Sequence, residues 1–200
     1  MRVLFLHGLE SGPQGQKARY LAGRFEARTP DMQTASSAAA RLQEELRLAD
    51  RSAVDGPETR RKAEVALFER SLALQRAEVA SFRPDVLVGS SFGGALAVAL
   101  LREGAWKGPT LLLAQAALLA TRRAGVLGPE AQVALPEGVD VLLVHGTRDD
   151  VVPLDDSRKL AATSARARLV EVDDGHRLET LCADERLADL VRQAARQSST

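Results

Sequence analysis

The chain has one cysteine, Cys182, so no intrachain disulfide is possible, which suits a reducing compartment. Cys182 falls in a late helical stretch and reads as a small apolar residue rather than a nucleophile. Net charge is also missing: Lys and Arg together number 27, and so do Asp and Glu. Nothing in that balance favours a nucleic acid or an anionic membrane as partner. The arginines are interspersed with acids along helical stretches, the pattern of a solvated face. A long apolar run near the start is absent too. In MRVLFLHG only four consecutive apolar residues, Val3 to Leu6, come before His7. That is too short for a signal-peptide core or a membrane span, so a cytoplasmic location is expected. What remains is ample: 45% of the 200 residues are hydrophobic, with no long low-complexity tract. Such a chain suits one domain with a sizeable core, expected over residues 1–196, with 197–200 a frayed tail.

Short apolar runs alternate with helical patterns. Strands are expected at Val3–Leu6, weakly at Arg28–Met32, then at Val86–Val88, Thr110–Ala114, Val139–Val144 and Arg168–Val172. Helices are expected at Lys17–Ala27, Glu58–Ser81, Phe92–Arg102, Asp155–Ser164 and Arg177–Arg196. Apolar residues continue past Ala114 to Ala120, which leaves the end of that strand open. Ala38–Leu48 looks helical, and Gly56 and Pro57 read as breakers closing a loop. Residues 33–57 are thus either a small lid or insertion, or the approach to the next helix. The alternation predicts an α/β fold: a single-domain three-layer sandwich around a mostly parallel sheet of about six strands. In such sheets functional groups collect beyond the carboxyl ends of the strands.

Those ends are rich in polar groups and glycine turns. His7-Gly8-Leu9 follows the first strand, Gly89-Ser90-Ser91-Phe92-Gly93 the third, His145-Gly146-Thr147-Arg148-Asp149 the fifth, and Asp173-Asp174-Gly175-His176 the last. Gly89-x-Ser91-x-Gly93, with a strand before it and a helix after it, fits a nucleophile elbow. The turn is so sharp that its middle residue projects, and the flanking residues must be small, hence Gly89 and Gly93. The spacing selects Ser91 as nucleophile and leaves Ser90 a structural role. A serine hydroxyl needs a base. Of three histidines, only His176 follows both Ser91 and a plausible acid. Asp149 is the preferred acid, with Asp150 its competitor and Asp173 and Asp174 weaker rivals. A developing oxyanion needs two fixed donors. The backbone N–H of Phe92 and that of Leu9 are the best positions. Glu10 and Ser11 are candidate substrate contacts.

These motifs resemble the α/β-hydrolase superfamily. The opening VLFLHGLESGPQGQKA, the elbow GSSFGG and the closing DDGH further resemble the small YqiA-type bacterial serine esterases, and the likeness spans nearly the whole chain as discrete motifs. The resemblance implies a compact α/β-hydrolase fold without a large cap, and hydrolysis of carboxylic esters through an acyl-enzyme. It implies a Ser91–His176–Asp149 triad that needs no metal or organic cofactor. The expected partner is a small-molecule ester or thioester with an apolar acyl group, with no nucleic acid or membrane involved. An acyl thioesterase, acyltransferase or amidase would use the same triad, and a non-catalytic ligand binder would use only the cleft. A metal site made of His7, His145, His176 and Asp149 is disfavoured, because their spacing contains no compact ligand motif. Oligomeric state is not legible.

Overall fold

The structure is a computed structural model that describes residues 1–32 and 56–197. Its six strands are β1 (Arg2–Leu6), β2 (Glu26–Arg28), β3 (Val86–Ser90), β4 (Thr110–Leu113), β5 (Val141–Gly146) and β6 (Ala167–Val172). All pair in parallel, in the order β2-β1-β3-β4-β5-β6. The described helices are α1 (Gln16–Ala22), α2 (Gly56–Phe82), α3 (Phe92–Arg102), α4 (Ala117–Ala124), α5 (Leu154–Ala161), α6 (Thr180–Ala183) and α7 (Arg186–Gln197). A 3₁₀ turn spans Glu130–Gln132.

Central strands that are covered on both faces read as continuous apolar runs. On one face Leu4, Leu6, Leu87, Leu112 and Leu143 pack against Phe68, Leu72, Leu96, Leu118 and Leu160. On the other, Phe5, Val88, Leu113 and Val144 pack against Leu21, Leu181, Leu187 and Val191. Each fully buried side chain of this size stabilises by about 1.5–3 kcal/mol. Helix α3 is buried from Phe92 to Leu101, which explains why its sequence is apolar all round. The chain reverses direction across the sheet between β1 and β3, opening a crevice at their carboxyl ends.

Several expected boundaries move. Helix α1 stops at Ala22 with Gly23 as its cap, and the second strand is Glu26–Arg28 rather than Arg28–Met32. That strand lies at the sheet edge with Glu26 and Arg28 exposed, so it carries no apolar signal. Gly56 and Pro57 begin α2 instead of preceding it. Proline is tolerated in a first turn, where its missing N–H has no helical partner. β4 ends at Leu113 and Ala114 turns the chain with φ 43°, so the apolar residues from Ala117 onward belong to α4. β5 starts and ends two residues later than expected, leaving out Val139 and Asp140 and taking in His145 and Gly146, and α5 closes early at Ala161.

The single late helix is two helices. Glu185 interrupts it at φ 60°, its carboxylate bound by Arg24 Nε at 2.9 Å and Tyr20 Oη at 3.3 Å. The expected lid at 33–57 lies, up to residue 55, outside the described residues, as does the helix at Ala38–Leu48. The tail at 198–200 is likewise outside them, while Gln197 closes α7. No described helix is long and apolar enough to cross a membrane.

Candidate active site

Strand β3 passes into α3 through a single residue, Ser91. Its φ is 54° and its ψ −116°, a conformation costing a non-glycine residue about 1–3 kcal/mol. The surroundings enforce it. Ser91 N–H donates to Leu113 O at 2.9 Å, and Ser91 O accepts from Gly94, Ala95 and Ala116 N–H at 2.9, 3.2 and 3.1 Å. A Cβ on Gly93 would lie 2.0 Å from Leu6 O, and one on Gly89 would lie 2.6 Å from Gly93 O. Both glycines therefore permit backbone contact that no side chain allows. Gly94 is similarly crowded: a Cβ there would lie 2.7 Å from Gln115 Cβ. Ser90 is half-buried at the end of β3 and reaches the same cavity as Ser91.

Ser91 Oγ lies 3.0 Å from His176 Nε2, and His176 Nδ1 lies 2.8 Å from Asp149 Oδ2. Three segments far apart in sequence thus meet in one hydrogen-bonded line. His176 is 17% exposed at its side chain, whereas the Asp149 carboxylate is fully buried. The other carboxylate oxygen, Oδ1, accepts from Val151 and Val152 N–H at 2.9 and 2.8 Å. This closes a short turn that fixes the side chain.

The competing acids go elsewhere. Asp150 is exposed, and Asp173 pairs with Arg148 at the surface at 2.7 Å. Asp174 is buried and shapes the turn carrying His176. It accepts from Gly175 N–H at 2.7 Å, Thr180 N–H at 3.0 Å and Thr180 Oγ1 at 2.7 Å. Burial works to raise its pKa, but these donors outweigh burial and hold the carboxyl below its ordinary value.

The loop after β1 runs against the serine: a Cβ on Gly8 would be 3.3 Å from Ser91 Cβ. A cavity of about 500 Å³ opens in front of Ser91 and His176, with Leu9, Glu10, Ser11 and Phe92 in its lining. The apolar side chains Leu67, Phe68, Leu119, Ala120 and Val126 line it as well, together with Glu64 and Arg123 from the same two helices. Glu10 is exposed and 3.8 Å from Arg177. As the first residue of α3, Phe92 has an N–H without an intrahelical acceptor, at the positive end of the helix dipole.

For some residues of the site the sequence predicts no role. Lys17 lines the cavity and its ammonium donates to Arg177 O, tying α1 to the His176 turn. Burial lowers its pKa. Gly146 ends β5 against the same turn, where a Cβ would meet Asp174 O at 2.4 Å. The dipeptide His145-Gly146 at a strand end was the only available hint.

The three histidines do not form one cluster. His145 and His176 both meet Asp149, while His7 bonds to Gly8 and Met32, and no group of three His, Cys, Asp or Glu among the described residues could hold an ion. Fully buried His7 has its Nδ1 2.8 Å from Gly8 O, and its Nε2 accepts from Met32 N–H at 3.3 Å. Desolvation lowers its pKa below 6.5, against smaller raising effects from Gly8 O, Asp31 and Pro30 O.

A pH dependence follows. Between the lowered native value and 6.5 the unfolded chain binds more protons at this site, so stability falls as pH drops through that window. We expect the melting temperature to fall between about pH 7.5 and about pH 5.5, and to fall less in His7→Gln. Thermal melts across that range check this, and equal falls in both proteins would contradict it.

A parallel, doubly wound sheet with a serine on a sharp strand–helix turn defines a known class of architecture, and solved structures agree. One is a protein from Xanthomonas campestris pv. campestris inferred to be a hydrolase of the α/β superfamily. It is 26% identical, with a TM-score of 0.55 over 98% of this chain and 95% of that one. An esterase from Exiguobacterium antarcticum is 14% identical, with a TM-score of 0.58 over 98% and 92% of the two chains. Est1E from Butyrivibrio proteoclasticus is 16% identical, with a TM-score of 0.61 over 100% and 88%. No protein-family model matches the chain, and no curated protein matches it. The chain has the fold of the α/β-hydrolase superfamily.

Proposed function

We propose that this chain is a serine hydrolase that cleaves carboxylic esters of apolar acyl groups. One observation carries the reading: Ser91 Oγ, His176 and Asp149 lie in a line of 3.0 and 2.8 Å contacts at the mouth of an apolar cavity. Ser91 Oγ attacks the acyl carbonyl while His176 Nε2 takes its proton. The carbonyl oxygen becomes an oxyanion held by the N–H groups of Leu9 and Phe92. The C–O bond to the alcohol then breaks, and His176 returns the proton to the departing oxygen. Water, deprotonated by the same imidazole, attacks the acyl-enzyme, releasing the carboxylic acid and restoring Ser91. Asp149 holds the tautomer that leaves Nε2 free to accept and stabilises the imidazolium. None of these steps draws on a metal or organic cofactor. Glu10 and Ser11, in the cavity lining, are candidate contacts for the substrate. The superfamily fold and the names of the similar proteins support the hydrolase class. The motifs resembling small YqiA-type esterases support a compact enzyme for small substrates.

A p-nitrophenyl ester series from acetate to decanoate tests this, with matched thioester and anilide substrates. kcat/KM should rise with chain length until the apolar lining is covered, by up to about fourfold per methylene, from about 0.8 kcal/mol each. Faster thioester or anilide cleavage would move the proposal to a thioesterase or an amidase. Background rates throughout would sink it.

A further inference from the structure

Behind the proposed triad lies a second histidine that the reaction does not touch. His145 closes β5, and its imidazole is fully buried. Its Nε2 lies 3.0 Å from Val152 O and 3.1 Å from Asp149 Oδ2, the same oxygen that meets His176. Both neighbours are acceptors, so Nε2 carries the proton. Its Nδ1 is 2.7 Å from Ser157 Oγ, and Gln115 Nε2 donates to that hydroxyl at 3.2 Å. Ser157 therefore receives from Gln115 and gives its proton to His145 Nδ1. Gln115 Oε1 in turn accepts from Ala117 N–H, at the start of α4, at 2.8 Å.

Every donor in this chain points the same way, from the N-terminus of α4 through Gln115, Ser157 and His145 to the turn that presents Asp149. Gln115, His145 and Ser157 are all essentially inaccessible to water. Burying an amide, an imidazole and a hydroxyl is costly unless each is partnered, and apolar side chains would fill the same space without that cost. The chain ends on the one carboxylate that the proposed reaction needs fixed. Asp149 Oδ1 is held by the Val151 and Val152 amides, and His145 grips the same turn from its other end, at Val152 O.

We propose that His145, buttressed by Ser157, is a positioning residue that holds the 149–152 turn and aims Asp149 Oδ2 at His176. This rests on the serine-hydrolase reading above. Partners that orient a ligating side chain in metal sites typically change activity about 10–100-fold, and His145 orients the Asp149 carboxylate in a comparable way. His145→Ala should therefore lower kcat for a p-nitrophenyl ester about 10–100-fold while KM stays within about twofold. Ser157→Ala, the smaller lesion, should lower kcat severalfold with the same signature. Because both act through Asp149, neither should reduce the residual rate of an Asp149→Asn protein by more than about twofold.

The rate of Ser91 phosphonylation by a fluorophosphonate, in which the serine oxygen bonds to phosphorus and fluoride leaves, provides a second readout. Wild-type kcat in both variants would overturn the proposal, as would losses that persist undiminished in the Asp149→Asn background. Should His145→Ala fail to fold, Ser157→Ala decides on the same criteria. A wild-type protein that does not react with the probe would instead overturn the functional reading itself.

Discussion

Ser91→Ala is expected to lower kcat by at least about 10⁴-fold while leaving the fold intact. The loss follows from chemistry: no other hydroxyl lies within hydrogen-bond reach of His176 Nε2 among the bonds of the described residues. The intact fold follows from the backbone. The contacts that hold residue 91 at φ 54° are made by its N–H and C=O, which alanine retains. Among the described residues its Oγ binds only His176, and both side chains line the cavity, so removing the hydroxyl strands no buried donor among them. The melting temperature should stay within about 2 °C of wild type. Ester assays with thermal melts of the same preparations check this. Unfolding of the variant would put the lost rate down to structure, and retained activity would remove Ser91 from the reaction.

Asp149→Asn should cost about 10⁴-fold in kcat, although it is nearly isosteric. The reason lies in which partners can change role. Oδ1 accepts from two backbone amides, Val151 and Val152 N–H, which can only donate, whereas Oδ2 faces two imidazoles, His176 Nδ1 and His145 Nε2, which can change tautomer, so an asparagine keeps its carbonyl oxygen on the amides. Its NH₂ then takes the place of Oδ2, facing His176 Nδ1, which had been 2.8 Å from an acceptor. Two donors cannot face each other. His176 must move its proton to Nε2, where it points at Ser91 Oγ and can no longer accept. KM should change little, because the cavity lining does not include Asp149. Steady-state kinetics of the variant test the claim, and a loss below about tenfold would show that the ring does not depend on this carboxylate.

What the sequence could and could not reveal follows from where each signal resides. β3, β4 and β5 were legible because cover on both faces forces Val86–Val88, Leu111–Leu113 and Leu142–Val144 to be apolar. β2 was misplaced because an exposed edge strand with the sequence EAR carries no such demand. The break between α6 and α7 was invisible, since Glu185 is held by Arg24 and Tyr20, more than 160 residues away in sequence. The elbow was readable because its demands are local: a strand, a projecting serine and glycines where backbones touch.

His176 could be picked by chain order alone. Asp149 and Asp150 could not be separated by any local rule, because what distinguishes them is capture of Asp149 Oδ1 by the next two amides and burial of its carboxylate. His145 stood out in sequence only as a strand-end histidine, and Lys17 only as part of the opening motif. Their contacts, to Ser157 and Val152 and to Arg177 O respectively, exist only once the sheet has formed.

The most direct test is to incubate the purified chain with a fluorophosphonate and read its intact mass, then map the adduct by peptide sequencing. One phosphonyl group per chain, on Ser91 and absent from His176→Ala over the same time, is the result this account predicts. A folded protein that gains no mass, or carries the label on Ser90 or elsewhere, would contradict it and leave the cavity as a binding cleft without this chemistry.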